Sequence, residues 1–268
     1  MNMQLSKKII INADDFAQSA AIDDAIIDLA ERRIIHSTSA LVLSPRWKAS
    51  ASKLANLPIQ AGLHLDLTSH FSHQVDCYSP LPRLIAAAYT SRLKIKHLES
   101  IIELQWDMFS ERLGRMPDFI DGHQHIHQLP IVRDALFSVI AKKGWGQLPE
   151  NWLRICQANH WHGFKAQLIS ALGAKKMLQL ARDYGIRTNS DFAGVYDFDS
   201  HRNLNVLWQD WLNNLQGNFP VIMCHVAKIQ QLNPVGNTDP IYKARLREYA
   251  WLSSPEFKKL LESKGYTN

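Results

Sequence analysis

The stretch Ile9-Ile10-Ile11-Asn12-Ala13-Asp14-Asp15-Phe16, followed by Ser19 and by apolar residues at Ala21, Ile22, Ala25, Ile26 and Leu29, decides how this chain reads. The mostly apolar stretch Ile9 to Ala13 suits a buried strand, and the spacing from about Ala20 to Arg33 suits an amphipathic helix capped by Ser19. A buried strand feeding such a helix is one βα unit, and repetition of the unit builds a parallel sheet. The polar pair Asp14-Asp15 stands at the carboxyl end of the strand, where α/β folds gather their sites.

The same alternation continues outward. Strands are expected at Ser39 to Leu43, Ile59 to Leu67, Phe119 to Asp121, Trp152 to Cys156 and Phe219 to His225. Between them, helical spacing runs from Pro45 to Leu54, Leu98 to Leu113, Pro130 to Lys143, Phe164 to Tyr184 and Leu204 to Leu215. Pro45 opens its helix and Gly114 ends another. Ser69 to Pro82, with two prolines, reads as a loop over the site. No repeat, low-complexity tract or linker interrupts the pattern, so residues 1–268 are expected to form one catalytic α/β domain.

The chain has 268 residues, 46% of them hydrophobic, enough for a substantial core and against disorder. Its 30 basic and 25 acidic residues are scattered, which argues against a nucleic-acid partner. Cys77, Cys156 and Cys224 are odd in number and widely spaced, so neither a disulfide framework nor a zinc knuckle is indicated, and a cytoplasmic setting is expected. Met1 to Lys8 shows no signal-peptide pattern, and no segment is apolar for long enough to span a membrane.

Two further polar clusters follow strands. Asp121-Gly122-His123-Gln124-His125-Ile126-His127 gathers three imidazoles and a carboxylate, and Gly62-Leu63-His64-Leu65-Asp66 places His64 and Asp66 on one strand face. In an extended chain His123, His125 and His127 would share a cavity; a turn after Gly122 would leave only one or two there. Imidazole with carboxylate is a common donor set for a transition metal. Each cluster alone has a plainer reading: a histidine-rich loop, a satisfied core histidine, a solvated Asp-Asp turn. The His-x-Asp pattern also occurs in non-haem iron oxygenases, but those expect a β-rich chain.

Six segments, IINADDFAQS, STSALVL, GLHLDLT, DGHQHIH, SDFAGVYDF and VIMCHVAK, resemble in order the motifs of the YdjC-like carbohydrate deacetylases, the family that includes chitooligosaccharide deacetylase. The resemblance spans nearly the whole chain. It implies an α/β fold, an irregular (β/α) barrel of mostly parallel strands. It implies a hydrolase that removes an N-acetyl group from a small acetylated sugar. Carried over by position, it assigns one divalent metal ion to Asp15, His64 and His123. Asp14 becomes the general base, Arg154 its orienting partner and His225 the general acid. The family is usually described with magnesium, whereas two imidazoles suit zinc, cobalt or manganese better.

His125, His127, Asp66, Asp191 and Phe192 are expected to contact the substrate or support these groups, with Phe71, Tyr78 and Tyr196 as further candidates to line the cleft. The resemblance is compatible with a homodimer, although no exposed apolar stripe demands one. The sequence departs from the family twice. Ala17 stands where glycine is usual, so a left-handed turn there would be strained. Val226-Ala227 replaces the usual Pro-Gly after the late histidine. Two other functions remain open: a carbohydrate-binding protein without turnover, and a metal hydrolase of a phosphoester or cyclic amide.

Overall fold

A computed structural model describes residues 8–229 and 239–266. The reading of the N-terminal Met1 to Lys8 therefore lies, except for its last residue, outside the described residues. The chain runs β1 (Ile10–Phe16), α1 (Ala20–Glu31), β2 (Ser37–Ala40), α2 (Trp47–Ala55), β3 (Gln60–Leu65), α3 (Leu81–Tyr89), α4 (Ile95–Leu113) and β4 (Phe119–Gly122). It continues through α5 (Val132–Lys143), β5 (Trp152–Leu153), α6 (Phe164–Ala171), α7 (Ala174–Asp183), β6 (Arg187–Thr188) and β7 (Phe192–Ala193). It closes with α8 (Leu204–Asn214), β8 (Val221–Cys224), α9 (Tyr242–Leu252) and α10 (Pro255–Ser263). No helix among the described residues is long and apolar enough to cross a membrane.

All recorded strand pairs are parallel, in the order β6-β5-β4-β3-β2-β1-β8-β7. This order fixes the shape. Laid flat, eight strands spaced about 4.8 Å apart would separate the two edges by about 34 Å. Yet the edges are β6 and β7, and the chain from Thr188 to Phe192 reaches about 14 Å at most. The sheet therefore curls into an irregular barrel with a seam between β6 and β7, as expected from the resemblance.

Side chains close the seam where backbone pairing does not. Asn189, just after β6, exchanges bonds with Ile155 just after β5 (2.7 and 2.9 Å), and its Nδ2 also donates toward β7, to Asp191 O at 2.9 Å. Asp191 Oδ1 accepts from Asn159 N at 3.1 Å and from Phe192 N at 2.8 Å, while its Oδ2 accepts from Gln216 N at 2.9 Å.

Buried Ala21, Ile22, Ala25, Ile26 and Leu29 form the inner stripe of α1, and Ser19 Oγ accepts from Ile22 N at 3.3 Å. The helix expected over Phe164 to Tyr184 is two helices. Its break at Gly173 has φ +126°, and a Cβ there would stand 2.1 Å from the Gln128 carbonyl oxygen. Close approach to the turn after β4, invisible to helical spacing, thus interrupts an otherwise periodic segment. The expected Ser69 to Pro82 loop contains a 3₁₀ turn at His70–Val75 and ends at Pro80, because α3 already begins at Leu81, with Pro82 in its first turn.

Gly62 shows how tightly β3 and β4 meet: a Cβ there would fall 2.4 Å from the Phe119 ring. Overpacking of this kind costs about 1–3 kcal/mol. Gly62→Ala is expected to lower the free energy of unfolding by that amount in urea titration; an unchanged midpoint would contradict this packing.

Candidate active site

The local device that builds the site is a β-bulge in β1. Ala13 pairs with Thr38 and Phe16 with Ala40, so Asp14 and Asp15 together oppose the single residue Ser39. Adjacent residues of a regular strand face opposite ways, and the extra residue of a bulge re-aims one of them. Asp15 takes φ 71° and Ala17 φ 74°, both left-handed. The turn is pinned by Asp23, whose Oδ1 accepts from Ala17 N at 2.7 Å, and by Ser44 Oγ, which donates to Ala17 O at 2.6 Å. Both carboxylates are buried at the carboxyl rim of the barrel.

Asp14 is gripped by a fork. Arg154 Nη1 donates to its Oδ2 at 2.9 Å and Arg154 Nη2 to its Oδ1 at 2.8 Å, and Asn12 Nδ2 adds a contact to Oδ1 at 2.6 Å. Burial pushes the Asp14 carboxyl upward, but the Arg154 guanidinium outweighs it and holds the group well below the usual carboxylate range. The same guanidinium lies 2.7 Å from Asp121 Oδ2. Asp121 Oδ1 in turn stands 2.5 Å from His64 Nδ1. An ionised carboxylate only accepts, so Nδ1 carries the proton and Nε2 is left facing Asp15.

Asp15 Oδ1 lies 3.3 Å from His64 Nε2 and 3.0 Å from His123 Nδ1. The three donor atoms fall within 4.8 Å of one another. Separations of 3.0 and 3.3 Å suit neighbouring ligands on a cation with bonds of about 2.1–2.3 Å. A carboxylate behind a ligating imidazole, as Asp121 stands behind His64, is also the usual support of a metal-bound histidine. The residues present fit a divalent cation. In its absence burial lowers the affinity of His64 for a proton, but Asp121 and Asp15 outweigh this and raise it to about 10.

A second set, Asp14, His64 and Asp121, is equally close. Its two carboxylates already share the Arg154 guanidinium, so a cation there would face a buried like charge.

The histidine-rich segment does turn after Gly122. It becomes a 3₁₀ turn at His123–Gln128, with Gln124 and His125 left-handed. Only His123 reaches the donor cluster. His125 Nδ1 lies 3.3 Å from Cys156 Sγ, and its ring meets Phe192 edge-on at 5.8 Å. Phe192 also lies under Arg154, whose guanidinium carbon is 5.9 Å from the ring centre. His127 is buried with Nε2 2.9 Å from Arg154 O, so it ties the turn to the segment that follows β5 and carries the arginine.

Asp66 is not brought to the cluster. Its carboxylate accepts from Thr68 N at 3.0 Å, Ser69 N at 2.8 Å and Ser69 Oγ, so it shapes the turn after β3. Asp191 is likewise occupied by the seam. His225 does arrive: its Nε2 stands 4.0 Å from Asp15 Oδ2, and its ring meets Phe198 edge-on at 5.2 Å.

The model of the YdjC-like protein family matches residues 8–263. The chain belongs to the YdjC-like family. A carbohydrate deacetylase from Enterococcus faecalis is 29% identical over 97% of this chain and 95% of its own length. A chitooligosaccharide deacetylase from Yersinia pestis is 25% identical over 98% of this chain and 97% of its own. Among solved structures, an Enterococcus faecalis protein named for cellobiose-phosphate cleavage superposes with a TM-score of 0.73 at 22% identity, covering 97% of this chain and 96% of that one. A family 4 carbohydrate esterase from Streptomyces lividans superposes at 0.50 and 10% identity, over 98% of this chain and 92% of the other. These two likenesses concern the fold.

Both departures from the YdjC-like pattern have a local account. The turn does use left-handed backbone at Ala17, at a cost of about 1 kcal/mol that Asp23 and Ser44 hold in place. After His225, Val226 and Ala227 are buried, with Ala227 N donating to Arg245 O at 3.3 Å and Lys228 N to Ala21 O at 2.9 Å, so packing fixes a segment without proline or glycine.

Two site residues escaped the sequence reading, Arg245 and Glu248, both on α9. Arg245 Nη2 donates to Asp15 Oδ2 at 2.7 Å, and Glu248 Oε2 accepts from His225 N at 3.0 Å. Tyr196 Oη donates to Glu248 Oε1 at 2.8 Å. Burial raises the Glu248 carboxyl to about 7. The signal available for them was a charged pair three residues apart on an otherwise ordinary amphipathic helix.

Burial drops His127 from 6.5 to about 4. The folded state then refuses a proton that the unfolded chain accepts, so stability falls as pH drops from 6.5 toward 4. In metal-free protein, His127→Gln is expected to flatten the pH slope of unfolding free energy in that window by about 1.4 kcal/mol per unit. An identical slope in both proteins would contradict the neutral, buried assignment.

Proposed function

We propose that this protein is a metal-dependent hydrolase that removes the N-acetyl group of an acetylated amino sugar or short oligosaccharide. The observation that carries the reading is the adjacency, through one bulge, of a fork-held carboxylate at Asp14 and a three-donor cluster at Asp15, His64 and His123. The relatives' names, carbohydrate deacetylase and chitooligosaccharide deacetylase, supply the substrate class.

A divalent cation held by Asp15, His64 and His123 would polarise the acetyl carbonyl and make water a better nucleophile. The donor set of two imidazoles and one carboxylate suits zinc, cobalt or manganese, and magnesium less well. Asp14 takes the proton of the attacking water. The Arg154 fork fixes the direction of its lone pairs and keeps it ionised through the neutral range, at some cost in basicity. Asp121 keeps the His64 ring in one tautomer. His225, with Nε2 4.0 Å from Asp15 Oδ2, is placed to act on the substrate beside the donor cluster.

One observation favours a particular form of His225. Burial holds it at about 4, so the ring is neutral near pH 7. Neutral imidazole can stabilise developing negative charge through an Nε2–H donor while Asp14 returns the proton to the leaving nitrogen. With that assignment His225→Gln lowers kcat to a similar degree across pH. An imidazolium acid would instead give wild type an alkaline limb that the variant lacks.

Acetate release from N-acetylglucosamine oligomers and their phosphates tests the function. Chelated protein is expected to be inactive, to recover with one of Mg, Mn, Co or Zn, and to lose at least about 100-fold in kcat on Asp14→Asn. Release of phosphate in place of acetate, or of neither with any cation, would overturn the deacetylase reading.

A further inference from the structure

Arg245 sits where neither the donor cluster nor the base requires a cation. Its side chain is buried, and its partners form a short chain. Nη2 donates to Asp15 Oδ2 at 2.7 Å, Nε donates to Asp239 Oδ2 at 2.6 Å, and Gln18 Oε1 lies 3.4 Å from Nη2. Asp15 thus divides its two oxygens: Oδ1 faces His64 and His123, and Oδ2 is taken by the guanidinium.

A carboxylate with both oxygens free can close onto a cation in bidentate fashion. Doing so would consume a coordination position that a hydrolytic site must leave open for water and substrate. Asp239 takes Nε while Nη2 stays on Asp15, so it is the guanidinium's own bond to Oδ2 that keeps this oxygen from turning inward.

We propose that Arg245 is a positioning residue that keeps Asp15 a one-oxygen ligand. The inference rests on the proposed metal site and deepens it, because it says how that site keeps its open positions. It also places part of the metal's support on α9, outside the motif segments that mark the family.

The test reads metal binding itself. Co(II) is titrated into metal-free wild type, Arg245→Met, Arg245→Lys and Asp239→Asn, with the visible spectrum and Kd recorded and folding checked by circular dichroism. Wild type is expected to bind one Co(II). Arg245→Met, which fills the space without the donor, is expected to change the ligand-field bands and to weaken binding by about 10-fold or more. Arg245→Lys, which keeps one donor on Oδ2, is expected to retain the wild-type spectrum and a Kd within about threefold of wild type. Asp239→Asn leaves the Arg245–Asp15 pair in place, so it is expected to lower Tm without altering the spectrum.

A folded Arg245→Met with wild-type spectrum and Kd would overturn the inference. Should that variant fail to fold, a folded Arg245→Lys that loses 10-fold or more in affinity would overturn it, since the inference needs only a donor on Oδ2. If wild type binds no Co(II), the metal reading itself fails and the inference with it.

Discussion

The constraint on which this site depends is the burial of charge at one rim of the barrel. Asp14, Asp15 and Asp121 are all buried, and two guanidiniums, Arg154 and Arg245, are buried with them. At formal charge the five groups sum to one negative unit. Without a cation, His64 supplies the balance: Asp121 and Asp15 raise its proton affinity to about 10 despite burial. With a divalent cation in place of that proton the sum becomes one positive unit. A rim in that state would favour negative charge developing on a reacting oxygen, which is what the proposed hydrolysis demands.

The two arginines divide the work. Arg154 holds Asp14, the proposed base, and, through Asp121, the tautomer of His64; Arg245 holds the far oxygen of Asp15. Removing one member of such a set strands its partner in low dielectric, so these residues act as a unit. The bulge in β1 makes the arrangement possible, because it gives two adjacent carboxylates to one pocket while the strand continues to Phe16.

Much of this was legible in the sequence, and for physical reasons. Apolar runs ending in Asp14-Asp15, His64, Asp121 and His225 mark strand ends directly, because a parallel sheet is buried on both faces. The stripe of α1 and its Ser19 cap follow from spacing alone. What was hidden depends on contacts between distant segments. The break at Gly173 is imposed by the Gln128 carbonyl, and the two-residue strands β6 and β7 are too short to show a period. Alternation would put Asp66 on the strand face of His64, yet β3 ends at Leu65, and the serine and backbone N–H groups that follow capture its carboxylate. Arg245 could not be placed from sequence, since its partner Asp15 lies 230 residues away.

The most direct measurement is anomalous diffraction from crystals of the metal-free protein soaked in Mn, Co or Zn. A single peak bounded by Asp15 Oδ1, His64 Nε2 and His123 Nδ1, with Asp14 still on Arg154, is the predicted result. A peak between Asp14, His64 and Asp121, or none at the rim, would contradict the division of labour that the buried charges imply.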